Sequence, residues 1–187
     1  MTTIAPLEDR DLRKALALFD VGLGAGYVRL EDLSSPLWMA LGAWRDGRLV
    51  GARLHKAGPL DDLVAAKAHE SVRAELLGLL AVPPGCRTAG VLHTIVVDPA
   101  ASGSGVGSAL TRQAVADLTE AGATFIFSLA WTDETGTHAA KMLERAGLAR
   151  VGRLERPWEG ASIEQGFVCP SDGWPCRCSA QVYAWRR

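Results

Sequence analysis

The sequence lacks an apolar run of the roughly eighteen residues that a membrane-spanning helix needs. Its opening residues, MTTIAPLEDRDL, turn charged before an apolar segment forms and so lack the pattern of a secretory leader; the cytoplasm is the expected location. An excess of either charge is missing too, since 20 Lys+Arg stand against 21 Asp+Glu. No global field therefore points to nucleic acid or an acidic membrane as partner, and a substrate must be selected locally. Four cysteines in 187 residues are too few for a disulfide scaffold, and three of them crowd into the last twenty, which suggests a local role. What the chain does have is apolar content, 48% of it, enough for one proper core, so a single domain over residues 1–187 is expected.

The most informative stretch is Val91 to Glu120. Val91 to Val97 is a short, β-branched apolar run stopped by Asp98-Pro99, and Val106, Leu110, Ala114 and Leu118 then recur every fourth position. The period switches from strand to helix, which pins the small-residue loop between them at a helix N-terminus; the helix should begin near Gly105 and end before Gly122. Gly103, Gly105 and Gly107 alternate there with Ser102, Ser104 and Val106. Residues without Cβ let successive backbone N–H groups approach one anion, and the positive end of the helix adds to the attraction. A pyrophosphate cradle and a Gly/Ser turn that merely caps a helix are both open on the loop alone. A P-loop is excluded because Ser108-Ala109 stands where Lys-Ser or Lys-Thr is needed, and GxGxxG fails because position 108 is Ser.

The remaining pattern, Val97-Asp98-Pro99-Ala100-Ala101-Ser102-Gly103-Ser104-Gly105-Val106-Gly107, resembles the central motif of the GNAT superfamily of acyl-CoA-dependent N-acyltransferases. Ser102 departs from it, standing where the family usually carries Arg or Gln. The resemblance implies an α/β (α+β) GNAT fold: a mixed central sheet of about six to seven strands, helices on both faces, and strands four and five splayed apart. It implies acetyl-CoA as co-substrate. The pantetheine arm would pair with the backbone of Ile95, Val96 and Val97, and the pyrophosphate would meet Ser102, Gly103, Ser104, Gly105, Val106, Gly107 and Ser108.

The rest of the chain fits that frame. Ile4 to Leu7 reads as a strand, and Asp9 as the cap of a helix with Leu12, Leu16 and Phe19 on one face. The glycines of VGLGAG (Gly22, Gly24, Gly26) follow it as a mobile connection, and Tyr27, Glu31 and Asp32 then fall where the family lines its acceptor site, a solvated acidic turn of helix being the plainer reading. Trp38–Arg45, Asp46-Gly47 and Leu49–Lys56 form a hairpin signature with a type I′ turn. Residues 59–82 carry Leu60, Val64, Ala68, Val72, Leu76 and Leu80 and read as an inserted amphipathic helix between strands three and four. It could cover a sheet face, shape the acceptor entrance or form a homodimer surface. Thr124–Trp131 reads as a strand parallel to Val91–Val97, His138–Ala146 as a helix, and Ala149–Arg156 and Ala180–Trp185 as the closing strands, joined by a Cys-containing loop over residues 157–178.

Three sets of residues carry candidate chemistry. His93, placed with Ile95 on one strand face, is the best titratable base for an attacking amine, directly or through a water; Asp133 and Glu134 are alternatives, and a hydrogen-bonded core histidine is the plainer reading. The family's usual Asn and Tyr are replaced by Gly136 and Leu143, so the usual acid for the departing thiolate is missing. Cys169, Asp172, Cys176 and Cys178 offer four ligands of kinds that zinc accepts, for a closed structural site; three reduced cysteines or a redox disulfide are the alternatives. The sequence is similar to GNAT members with four Cys in this loop, Asp172 taking one of those positions. Cys86 precedes strand four and should not reach the cluster.

The expected function is transfer of an acetyl group from acetyl-CoA to an amine of a small molecule or peptide by direct attack. A catalytically degenerate acyl-CoA sensor and a zinc-stabilised interaction domain are the competing readings.

Overall fold

The computed structural model describes residues 1–133, 136–137 and 139–186. Eight strands form one sheet, ordered β1 (Thr2–Pro6), β2 (Met39–Arg45), β3 (Arg48–Gly58), β4 (Ala89–Val97), β5 (Phe125–Asp133), β8 (Ser179–Arg186) and β7 (Ala149–Leu154). The two-residue β6 (Gly136–Thr137) pairs with β5 off this path and accounts for the strand beyond the expected six or seven. Among the described residues only β4 and β5 pair in parallel, as a crossover through α5 (Val106–Glu120) requires. The turn between β2 and β3 is type I′: both Asp46 (φ 51°) and Gly47 (φ 75°) take positive φ, which matches the turn to the twist of its strands.

Helices cover both faces. On one lie α5 and α6 (Ala140–Arg145), packing Leu110, Ala114, Leu118 and Leu143 against Leu92, Ile126 and Ala130. On the other, α1 (Leu12–Leu23) and α2 (Leu30–Ser34) cover β2, β3 and the C-terminal half of β4, while α3 (Leu60–Lys67) and α4 (Glu70–Leu80) cover the rest. Predicted α1 begins after a 3-10 turn at Asp9–Asp11 and runs through the first glycine of VGLGAG. A Cβ on Gly22 would lie 2.5 Å from Val96 Cγ2, so that glycine belongs to the helix because it lets α1 press onto β4.

The insertion is two helices, because its spacing cannot serve a single rod laid on this sheet. Apolar residues four apart drift about 40° per repeat around a helix of 3.6 residues per turn, so one straight rod could not keep all of them on the sheet. The chain breaks at Ala68, which is extended, and restarts at His69, whose ring accepts from Ser71 N; Val64 and Leu76 then face the same core. The expected helix over 138–146 is shorter, α6, preceded by β6, and His138 lies outside the described residues. The Cys-containing segment is partly helical: α7 (Glu159–Gln165) occupies its first third.

Candidate active site

The sheet forks in the middle. Parallel pairing of β4 with β5 runs from Ala89↔Phe125 to Val91↔Phe127 and stops, while β5 continues against β8. At the fork β4 bulges: Leu54 of β3 faces Thr94 and His55 faces Leu92, which leaves His93 without a partner residue. The bulge also reverses the alternation of faces, so Leu92 and Ile95 share the α5 side, whereas the His93 ring meets Trp38 and Tyr27 on the other. His93 and Ile95 therefore do not share a face, as strict alternation from the sequence had implied. Ser128 Oγ donates to the Leu92 carbonyl at 2.9 Å and closes the apex of the fork.

A cavity of about 410 Å³ fills the split. At one end lies the loop before α5. Asp98 accepts from Ala100 N (2.9 Å) and from Arg48 Nη2 (2.8 Å), which fixes the exit of β4 and starts the 3-10 turn Pro99–Ala101. Gly103 (φ 74°) and Gly105 (φ 86°) then hold conformations that side chains rarely adopt, and nothing lies within 4 Å of where a Cβ would stand on either. That face of the loop is open to the cavity. Val106, Gly107 and Ser108 form the first turn of α5, so their N–H groups have no carbonyl a turn behind them to bond. Ser102, Gly103, Gly105, Val106, Gly107 and Ser108 all border the cavity, as do Ile95 and Val97. Two members of the expected set point elsewhere: Val96 packs against α1, and Ser104 Oγ donates to Ala101 O and accepts from Arg45 Nη2 at 3.0 Å. Arg145 of α6 borders the same mouth and brings a cation to a loop whose usual Arg or Gln is Ser102. Its position depends on how α6 folds back over α5, which no local pattern reveals.

At the other end the cavity meets a second one, of about 450 Å³, on the opposite side of the sheet beneath α2, α3 and α7. Tyr27, Lys67, His93, Trp158 and Phe167 border both. The His93 ring lies edge-on to Trp38 (4.6 Å between centroids), and its Nδ1 is buried with no hydrogen-bond partner among the described residues. Burial and the neighbouring Lys67 charge hold it well below the usual imidazole range, so the ring stays neutral and is a poor proton acceptor. Of the other candidates, Tyr27 packs edge-on to Phe167 at 5.2 Å, Asp32 borders the second cavity but accepts from Arg29 N (2.9 Å), and Glu31 borders neither. Asp133 ends β5, and Glu134 lies outside the described residues.

Lys67, which sequence reasoning missed, sits where the two cavities join. It is 4% exposed; its Nζ donates to the His93 carbonyl and lies 5.9 Å from the Trp158 ring centre. Burial first, and then the Arg53 charge, lower its pKa to about 7. A signal was present: Lys67 falls three and four residues after the buried Val64 and Leu63, on the apolar side of α3. Arg53 of β3 is the second unexpected cation, 1% exposed, held by one hydrogen bond from Nη1 to Thr111 Oγ1 (2.8 Å), with pKa brought down by burial to about 9.

The last loop folds into a cluster. Donor atoms of Cys169, Asp172, Cys176 and Cys178 all lie within 4.8 Å of one another, and the three thiols are buried. Cys169 and Cys178 sulfurs are 3.6 Å apart, close to the about 3.8 Å that two thiolates on a tetrahedral zinc would show and far from a disulfide. Backbone bonds in both directions between Cys169 and Gly173 (2.9 Å each) close a tight turn, and Cys176 N donates to Ser162 Oγ (3.0 Å), which ties it to α7. Cys169 and Cys176 also border the first cavity, the one that begins at the glycine loop. Cys86 stays away, as expected, its thiol donating to Thr88 O. Leu143, at the usual tyrosine position, is buried in the cavity wall and offers no proton.

Solved structures share this fold. The E. coli ribosomal-protein-S18-alanine N-acetyltransferase superposes with a TM-score of 0.63 at 17% identity, over 100% of this chain and 94% of its own. An agmatine N-acetyltransferase (S171A variant, apo form) gives 0.65 at 14%, covering 100% and 99%, and the Drosophila melanogaster polyamine N-acetyltransferase gives 0.63 at 15%, covering 100% of both. At such identities the likeness establishes the fold alone. No curated protein sequence matches the chain. In sequence, the pattern that defines the acetyltransferase (GNAT) family matches residues 24–148, well over half the chain and the whole stretch from the end of α1 through the forked strands to α6. A forked sheet, an open glycine loop at the head of α5 and that match lead to one conclusion: the chain is an acyltransferase and belongs to the acetyltransferase (GNAT) family.

Proposed function

We propose that the protein transfers an acetyl group from acetyl-CoA to a primary amine of a small molecule or peptide, the thioester entering from the glycine loop and the amine from the second cavity. The observation that carries this reading is the meeting of the two cavities at Lys67 and His93, on either side of the fork. Free amides of the loop and Arg145 suit the diphosphate, and the edge of β4 left unpaired beyond Val91 suits the pantetheine amides. A β4 backbone N–H there stabilises the oxyanion that forms as the amine nitrogen attacks the thioester carbon. Much of the acceleration comes from holding the two reactants together.

Lys67 is the proton acceptor in this mechanism. A pKa near 7 leaves a large share of it neutral at physiological pH, its side chain is buried, and the carbonyl of His93 fixes its position. It takes the proton from the attacking amine; the C–S bond breaks; the Lys67 ammonium returns that proton to the departing thiolate. This single residue does the work for which the sequence suggested His93 and supplies the acid that Leu143 cannot. His93 orients Lys67 through its main chain and walls the junction with its ring.

In the same reading Cys169, Asp172, Cys176 and Cys178 hold a structural zinc. The sulfur spacing and the mix of donors fit the ion. It would clamp the segment that carries Trp158 and Phe167 into the acceptor wall. Free, buried thiols agree with a reducing cytoplasm. Measuring CoA release from acetyl-CoA with polyamines, amino acids and peptide N-termini tests the reading; no turnover with any amine would overturn it.

A further inference from the structure

The cofactor-side cavity is bordered by three permanently or partly cationic side chains, Arg53, Lys67 and Arg145, and by no Asp or Glu among the described residues. Arg145 stands at the mouth with the loop amides, where the diphosphate of CoA is already provided for. Arg53 does not. It projects from β3 on the α5 side of the sheet, in register with Ile95, and is anchored to Thr111, one turn deeper in α5 than the loop. Among the described residues Thr111 is its only hydrogen-bond partner; its Nε is buried with none, and no carboxylate forms an ion pair with it. The nearest acid on that helix, Asp117, is taken by His55 Nε2 (3.1 Å) and Gln113 Nε2 (2.8 Å).

A guanidinium buried without a counter-ion is strongly unfavourable, and folded proteins keep such groups where an anion completes them. A planar fork of N–H donors matches a carboxylate in particular. Which ligand brings that carboxylate follows from position. Arg53 borders the cofactor-side cavity and is absent from the acceptor cavity, which contains its own acids and bases, Asp32 and Glu164 with Arg29, Lys56 and Arg73. The carboxylate therefore arrives with the thioester, on the acyl chain.

We propose that Arg53 selects acyl-CoA donors whose acyl group ends in a carboxylate, the monothioesters of short dicarboxylic acids such as malonyl-, succinyl- or glutaryl-CoA. The inference rests on the acyltransferase reading above and deepens it: the reaction stays the same, with the amine nitrogen bonding to the thioester carbon, the C–S bond breaking and the thiol leaving with the proton. What changes is the group transferred, which converts a cationic amine into an anionic amide rather than a neutral one.

Succinyl-CoA and butyryl-CoA make the discriminating pair, since they differ only in a terminal carboxylate against a methyl. Calorimetric titration of the intact protein, without acceptor, reads binding whether or not any amine is turned over. Succinyl-CoA is expected to bind at least tenfold more tightly than butyryl-CoA. In Arg53→Met that preference should vanish or reverse, and in Arg53→Lys part of it should remain; Met matches the stem and removes an unpaired buried charge, so the variant is expected to fold, which circular dichroism checks. Equal binding of the two donors, tighter binding of butyryl-CoA, or a preference that survives in Arg53→Met would each overturn the proposal while leaving acetyl transfer standing. A preference for carboxylated acceptors with none for carboxylated donors would overturn it as well. Absence of heat with every CoA thioester would overturn both this inference and the function on which it rests.

Discussion

Lys67 Nζ donates a hydrogen bond to the main-chain carbonyl of His93 and so ties the inserted helix α3 to the one residue of β4 that the bulge leaves unpaired. The inserted segment is thereby part of the site. It supplies a buried amine to the place where the sheet forks and walls the second cavity. The bulge has the matching role: it turns His93 out of the regular alternation and aims its ring at Tyr27 and Trp38.

If Lys67 takes the proton, turnover should rise with pH through about 7, because its pKa is lowered to about 7 and only the neutral form accepts. Lys67→Met should lower kcat about a hundredfold or more and flatten this limb of the profile. Stability of the variant should not follow its activity down. The folded pKa lies below the ordinary lysine value of 10.5, so between about 7 and 10.5 the unfolded chain binds the extra proton and stability grows with pH. At pH 7 the methionine variant is thus expected to melt at or above the wild-type temperature. A loss of activity accompanied by a matching loss of Tm would mark Lys67 as structural.

Gly105→Val places a β-branched side chain at φ 86° on the open face of the loop. The cavity wall is free there, so the damage falls on backbone conformation and on access to the amides. Titration with acetyl-CoA should show at least a hundredfold weaker binding, with the far-ultraviolet spectrum kept. Unaltered affinity would remove the loop from the binding site.

Cys176→Ser tests the cluster. Purified wild type should contain about one zinc per chain by elemental analysis, as a four-donor site requires, and the variant should contain much less. Amides of residues 166–178 should then exchange faster, while those of β8 hold, since Cys176 N also anchors the loop to Ser162. A metal-free wild type would reduce the cluster to three packed thiols.

Leu80→Ala addresses the insertion as core. Leu80 is fully buried with Leu76 and Val91 beneath α4, so its truncation should destabilise the fold by about 2–5 kcal/mol, read as a shift in the urea midpoint. An effect under about 0.5 kcal/mol would mean that α4 is an appendage.

Local signals were strong wherever one short stretch carries its own explanation. The run from Val91 to Gly107 declares strand, stop, loop and helix by periodicity and by glycines that nothing else can replace, and Asp46-Gly47 declares its hairpin in the same way. The cysteine cluster was legible because its four donors lie within ten residues. By contrast, the break at Ala68 and the inclusion of Gly22 in α1 depend on what lies across the interface, a second patch of sheet in one case and Val96 in the other. His93 was recognised as a residue of the site but given the wrong face, because a bulge adds one residue to the count and no local pattern announces it.

Sequence by itself determined the family, the open glycine loop at the head of α5 and the order of elements, since each depends on contacts between near neighbours along the chain. Only the tertiary structure decided the chemistry at the junction. Lys67, Arg53, His93 and Arg145 come from four separate elements, and their meeting depends on how far β4 and β5 diverge. Burial, which lowers the pKa of Lys67 and leaves Arg53 with Thr111 as its hydrogen-bond partner, is a property of the packed whole and is written in no single stretch of it.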